Sequence, residues 1–128
     1  MKLINKFRSP NFNSRKNTKV KFIIIHYTAL KNSKEAISYL CDKKRKVSCH
    51  YLISQTGDIY SLVDEKKRAW HAGLSSWNNI EDINSYSIGI ELDYSTNNKN
   101  NKFTKNMIKS LKNLIGKLIL KYQLKNIN

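Results

Sequence analysis

The sequence reads as an α/β domain, and three stretches carry that reading. Phe22-Ile23-Ile24-Ile25 is a continuous apolar run rich in β-branched residues, the pattern of a strand buried on both faces. Tyr51-Leu52-Ile53 and Ile59 to Val63 flank Gln55-Thr56-Gly57-Asp58, which reads as a hairpin with Gly57 supplying a positive φ. Phe103, Met107, Leu111, Leu114, Leu118 and Tyr122 recur at helical spacing, with lysines on the opposite side. A chain of 128 residues is long enough for one domain with a real core, not for two.

Residues 1–20 are polar and basic and hold the only proline, Pro10. They are expected to form an extended lead-in over the surface of a domain spanning 21–128. The apolar run then leads into His26. Asn32 followed by Glu35 resembles a capping box, and Ala36, Ile37, Leu40 and Cys41 give the stripe of a short helix. The charged run 42–46 ends it. Residues 64–84 show little periodicity but hold Trp70, His71, Gly73 and Trp77, so this long connection reads as a functional loop. Tyr86 to Leu92 is a further strand, with Ile88 and Ile90 on one face and Gly89 and Glu91 on the other. Thr104 is the expected cap of the last helix.

The net charge is +15, from 24 basic and 9 acidic residues. This fits an anionic partner, whether nucleic acid, a membrane surface or an acidic wall polymer. It also fits a chain generally rich in Lys, Asn and Ile, because the lysines are scattered. Cys41 and Cys49 make no CxxC pair and are expected as free thiols in a reducing compartment. No segment has the roughly 18 apolar residues of a membrane span, and the first residues lack the apolar core of a signal peptide. A cytoplasmic protein is the expectation.

His26 places an imidazole at the end of a strand, where open α/β sheets build their sites. Glu91 is the best acid–base candidate, since partial burial would raise its pKa toward the working range. Gly89 is expected to leave open space beside it. His50 reads as a hydrogen-bonded core residue, and His71 as part of a groove wall. No GxGxxG, Walker or HExxH pattern is present. Taken alone, these residues give a basic α/β domain with a candidate His/Glu site.

Three blocks add a resemblance: Ile23-Ile24-Ile25-His26-Tyr27-Thr28, then Val47-Ser48-Cys49-His50-Tyr51-Leu52-Ile53, then Arg68-Ala69-Trp70-His71-Ala72-Gly73 continuing to Asn84-Ser85-Tyr86-Ser87-Ile88-Gly89-Ile90-Glu91. In order and spacing they resemble the zinc-dependent N-acetylmuramoyl-L-alanine amidases of the AmpD/AmiD type, relatives of the peptidoglycan-recognition proteins. The resemblance implies a mixed central sheet flanked by helices. It implies hydrolysis of the amide between N-acetylmuramic acid and L-alanine, with peptidoglycan fragments or muropeptides as partners, and neither a specific nucleic acid nor a membrane. By the same resemblance His26 is a zinc ligand, Glu91 the general base, and Tyr27, Trp70, His71 and Asn84 substrate contacts.

The resemblance also implies a second histidine and an aspartate or cysteine as zinc ligands, in a segment like G-H-x-D with a later K-x-D-P-G. This sequence has no match to it: after Glu91 there is no histidine, and the only aspartate is Asp93. The expectation is therefore an amidase-like domain incomplete at its C-terminus, with a zinc site short of two ligands. A truncated remnant that binds muropeptide or wall without hydrolysing it is the alternative.

Overall fold

A computed structural model describes residues 2–73, 76–77, 79–97 and 101–125. In chain order the elements are β1 (Leu3–Ile4), β2 (Phe12–Ser14), β3 (Phe22–Tyr27), α1 (Ser33–Leu40), β4 (Tyr51–Ile53), β5 (Ile59–Ser61), β6 (Lys67–Ala69), β7 (Ser76–Trp77), β8 (Ile80–Glu81), β9 (Ser87–Leu92) and α2 (Lys105–Tyr122). Short 3₁₀ turns at Lys43–Arg45 and Ile83–Tyr86 precede β4 and β9. The main sheet runs β1-β5-β4-β9-β3. It is mixed: β9 lies parallel to both β3 and β4, β4 pairs antiparallel with β5, and β1 lies parallel to β5.

Strand β9 is more deeply buried than the apolar run at Phe22. Ile88 and Ile90 are fully buried. Strand β3 pairs with β9 alone among the described residues, and Ile25 and Tyr27 are exposed. An unbroken apolar run reads as an interior strand, but here it forms an edge covered by a helix on one face only.

That helix is α2. Met107, Leu114 and Leu118 pack onto Ile53, Ile88, Ile90 and Leu92. Thr104 caps it through a bond from the Met107 N–H (3.1 Å), as its residue type favours. Phe103 lies before the helix and is exposed. On the other face of the sheet, Ala36 and Leu40 of α1 pack against Cys49, Leu52 and Leu62. Asn32 caps α1, its Oδ1 accepting from Glu35 N at 2.9 Å. Burying each of these large aliphatic side chains contributes about 1.5–3 kcal/mol.

The lead-in is part of the structure rather than a strap across it. β1 extends the main sheet and β2 pairs with β6. Ser9, Asn11 and Arg15 are buried. The long connection likewise contains β6, β7 and β8. The side chain of Trp77 and part of the polar loop 97–102 lie outside the described residues.

The hairpin turn holds α2 through polar contacts. Thr104 Oγ1 donates to Gln55 O and Ser110 Oγ to Gly57 O, each at 2.5 Å. Gly57 has φ +88°, and a Cβ there would lie 2.8 Å from Asn106 O. Gly57→Ala should therefore cost about 1–3 kcal/mol, from left-handed strain and the displaced helix. Urea titration checks this; a variant as stable as the parent would show that the turn does not set the helix position.

Candidate active site

The parallel register of β3 and β9 sets His26 beside Glu91, with Ile24 beside Gly89. Alternation along β9 then places Ser87, Gly89 and Glu91 on the face opposite α2. The space beside Gly89 is not open. The His71 ring fills it, and a Cβ on Gly89 would come within 2.5 Å of that ring. Glycine is required here so that the imidazole can lie on the strand.

His71 is held at three points, and the N–H of Ala72 beside it at a fourth. Asn84 Oδ1 accepts from the N–H groups of His71 (3.1 Å) and Ala72 (2.9 Å). His71 Nε2 lies 3.0 Å from Ser87 Oγ, and its Nδ1 lies 3.1 Å from His26 Nε2. Burial drives its pKa down to about 3, with the neighbouring His50 and His26 and the arginines Arg15 and Arg68 acting in the same direction. Burial also lowers the pKa of His26. His50 sits deeper and is fully buried. Its Nδ1 accepts from the Gly89 N–H at 3.0 Å, so Nε2 carries the proton and donates to Lys67 O at 2.8 Å.

Tyr27, Leu30, Tyr39, Trp70, His71 and Glu91 line a groove of about 360 Å³. Glu91 Oε1 is buried without a hydrogen-bond partner. Burial raises the pKa of this carboxyl to about 7. An unpartnered buried carboxylate oxygen costs stability, and carboxyls poised in this way cluster at functional sites. Tyr27, Trp70 and His71 thus reach the groove, while Asn84 is buried behind it and shapes the loop.

Arg15, Asn13 and Ser87 were not singled out by the sequence reading. Arg15 is buried and donates to the carbonyls of Glu65, Asn84, Ser85 and Ser87. Asn13 Oδ1 accepts from Trp70 Nε1 at 3.2 Å, pinning the indole. Ser87 could have been found from period two, being two residues before Gly89 on the same face.

A protein-family model described as N-acetylmuramoyl-L-alanine amidase matches residues 16–128. The chain belongs to this amidase family. It is 39% identical over 82 residues to Escherichia coli AmiD, an N-acetylmuramoyl-L-alanine amidase, covering 59% of this chain and 29% of that protein. It is 32% identical over 104 residues to Haemophilus influenzae AmpD, a 1,6-anhydro-N-acetylmuramyl-L-alanine amidase, covering 67% and 56%. A crystal structure of AmpD superposes with a TM-score of 0.82 at 25% identity, covering 95% of this chain and 76% of AmpD. E. coli AmiD, solved with anhydro-N-acetylmuramic acid-L-Ala-D-gamma-Glu-L-Lys, superposes at 0.75 with 31% identity, covering 94% and 49%. The chain thus spans less than two thirds of the length of these two curated relatives.

A catalytic zinc takes three protein donors and one open position. Among the described residues of this amidase-family chain, no three His, Cys, Asp or Glu side chains converge on one point. Both nitrogens of His50 and both of His71 are engaged in hydrogen bonds, so neither ring can be borrowed without breaking its contacts. The residues present do not complete the implied zinc site.

The His50 pKa falls from 6.5 to about 4, mainly through burial. The unfolded chain takes up this proton below pH 6.5, while the folded chain resists it until about pH 4. Stability from His50 is therefore full above pH 6.5 and lost between 6.5 and 4, by about 3 kcal/mol. Glu91 works in the opposite direction, because its raised pKa lets the folded chain bind a proton first. The His50 effect is therefore read as the parent's stability minus that of His50→Gln. That difference should shrink by about 3 kcal/mol from pH 7 to pH 4 in urea titrations. A pH-independent difference would contradict the neutral buried ring.

Proposed function

We propose that this chain acts as an N-acetylmuramoyl-L-alanine amidase on muropeptides, with Glu91 as general base. The observation that supports this best is the Glu91 carboxyl itself. It lines the groove with one oxygen buried and unpartnered, and burial brings its pKa to about 7. A base in that range is half ionised at neutral pH and can both take and return a proton. Glu91 takes the proton of a water as its oxygen attacks the scissile amide carbon. It then returns the proton to the departing alanine nitrogen. Tyr27 and Trp70 flank the substrate as groove walls, and His71 closes the inner end.

His26 is the residue that this chain would contribute toward zinc. Because the donor set around it is incomplete, hydrolysis is one reading and muropeptide binding without turnover is the other. The family match and the groove support the substrate class, and the free thiols of Cys41 and Cys49 fit a reducing cytoplasm. Among the described residues no helix is long and apolar enough to cross a membrane.

The test is incubation of the purified chain, with and without added zinc, with anhydro-muropeptide and with intact sacculi. Release of stem peptide is followed by mass spectrometry, and binding by calorimetry. Glu91→Gln should lower turnover by about 10²–10⁴-fold while leaving muropeptide affinity and folding intact. Unchanged turnover in this variant would remove Glu91 from the chemistry. Binding of the parent without any turnover would select the non-hydrolytic reading.

A further inference from the structure

The three imidazoles of the site are not equivalent, and hydrogen-bond direction separates them. Ser87 Oγ has one proton. It lies 2.8 Å from the Ile83 carbonyl, an atom that can only accept, so the proton goes there. Ser87 can then meet His71 Nε2, at 3.0 Å, only as an acceptor, which puts the His71 proton on Nε2. The His71 ring is buried against Gly89, with no carboxylate bonded to it among the described residues, and so carries a single proton. Its Nδ1 is therefore a lone pair. The atom facing that lone pair, at 3.1 Å, is His26 Nε2, which must donate.

We infer that Ser87 and His71 are positioning residues that fix the tautomer of His26, holding its proton on Nε2 and leaving Nδ1 as its one basic nitrogen. The direction of the chain is set at its far end by the Ile83 carbonyl, in the 3₁₀ turn before β9. It runs Ile83, Ser87, His71, His26, and reversing any link would bring two N–H groups or two lone pairs together. Among the described residues no hydrogen bond engages His26 Nδ1, so this is the atom left for a ligand or a proton. Partners of metal-binding or proton-carrying imidazoles fix the tautomer in this way through the other ring nitrogen. Gly89 has a second part in the device: only the absence of a Cβ allows the His71 ring to lie between Ser87 and His26.

The significance of this tautomer for catalysis rests on the amidase reading. The tautomer is measured on the protein alone, so the two ideas fail separately. Long-range ¹H–¹⁵N correlation spectra of ¹⁵N-histidine-labelled chain, recorded at pH 8 without metal, distinguish a protonated ring nitrogen from an unprotonated one. For the parent, His26 should show a protonated Nε2 and an unprotonated Nδ1, and His71 the same pair. Ser87→Ala should release His71, and His26 with it, into a mixture of tautomers while the far-UV circular dichroism is unchanged. His71→Phe, which fills the same space without an acceptor, should release His26 in the same way and serves if Ser87→Ala does not fold. A parent His26 protonated on Nδ1 would overturn the inference. So would a His26 tautomer that stays fixed in the variants.

Discussion

Glu91 faces His26 because β9 lies parallel to β3 in a register that pairs them residue by residue. Much of the site depends on that single alignment. A shift of one residue would turn Ser87, Gly89 and Glu91 toward α2 and bring Ile88 and Ile90 into the groove. The apolar half of β9 prevents this. Ile88, Ile90 and Leu92 are buried against Met107, Leu114 and Leu118, and exposing several such side chains would cost several kcal/mol. The core packing thus fixes which atoms reach the site on the opposite face.

The second constraint is electrostatic, and its source is the lead-in. Arg15 is a buried guanidinium with no carboxylate bonded to it among the described residues; it spends its donors on four backbone carbonyls. Those carbonyls belong to the segments that enter β6 and β9, so one cation ties the loop carrying His71 to the strand carrying Ser87. Burial, and after it this charge 3.1 Å from His50 Nε2, disfavours a second proton on either deep imidazole. A strongly basic chain could hold a cluster of histidines as cations only at great cost. Here the cluster stays neutral, which preserves hydrogen-bond direction within it.

Much of this was legible in the sequence, and the gaps have physical causes. Helices α1 and α2, their caps Asn32 and Thr104, and the hairpin around Gly57 followed from local periodicity and turn chemistry. The faces of β9 followed from its alternation. The rank of β3 did not: an apolar run reports that a strand is apolar, not how many neighbours it has, and Ile25 ends up exposed. Arg15 was hidden for a related reason. In a segment dense with lysine and arginine, one side chain that turns inward leaves no local mark, because its partners are carbonyls some 50 to 70 residues away. The space read beside Gly89 was real, but a distant ring fills it, and period-two patterning sees only its own strand.

Saturation of hydrogen bonds then narrows where chemistry can occur. His50 has both nitrogens engaged, and so does His71. Asn84 Oδ1 accepts two backbone N–H groups, and the Trp70 indole N–H is bound to Asn13. Each of these groups would have to break a contact before meeting a ligand, at about 0.5–1.5 kcal/mol or more in a buried setting. Among the described residues, His26 has an atom to spare in Nδ1, and Glu91 in a buried oxygen that no donor satisfies. The fold bears the cost of leaving that carboxylate oxygen unpaired. Stability alone would favour an apolar residue at position 91, and a buried carboxyl kept at such a cost is the pattern of functional sites. The two spare atoms belong to residues at paired positions on adjacent strands, so the register that fixes one also fixes the other.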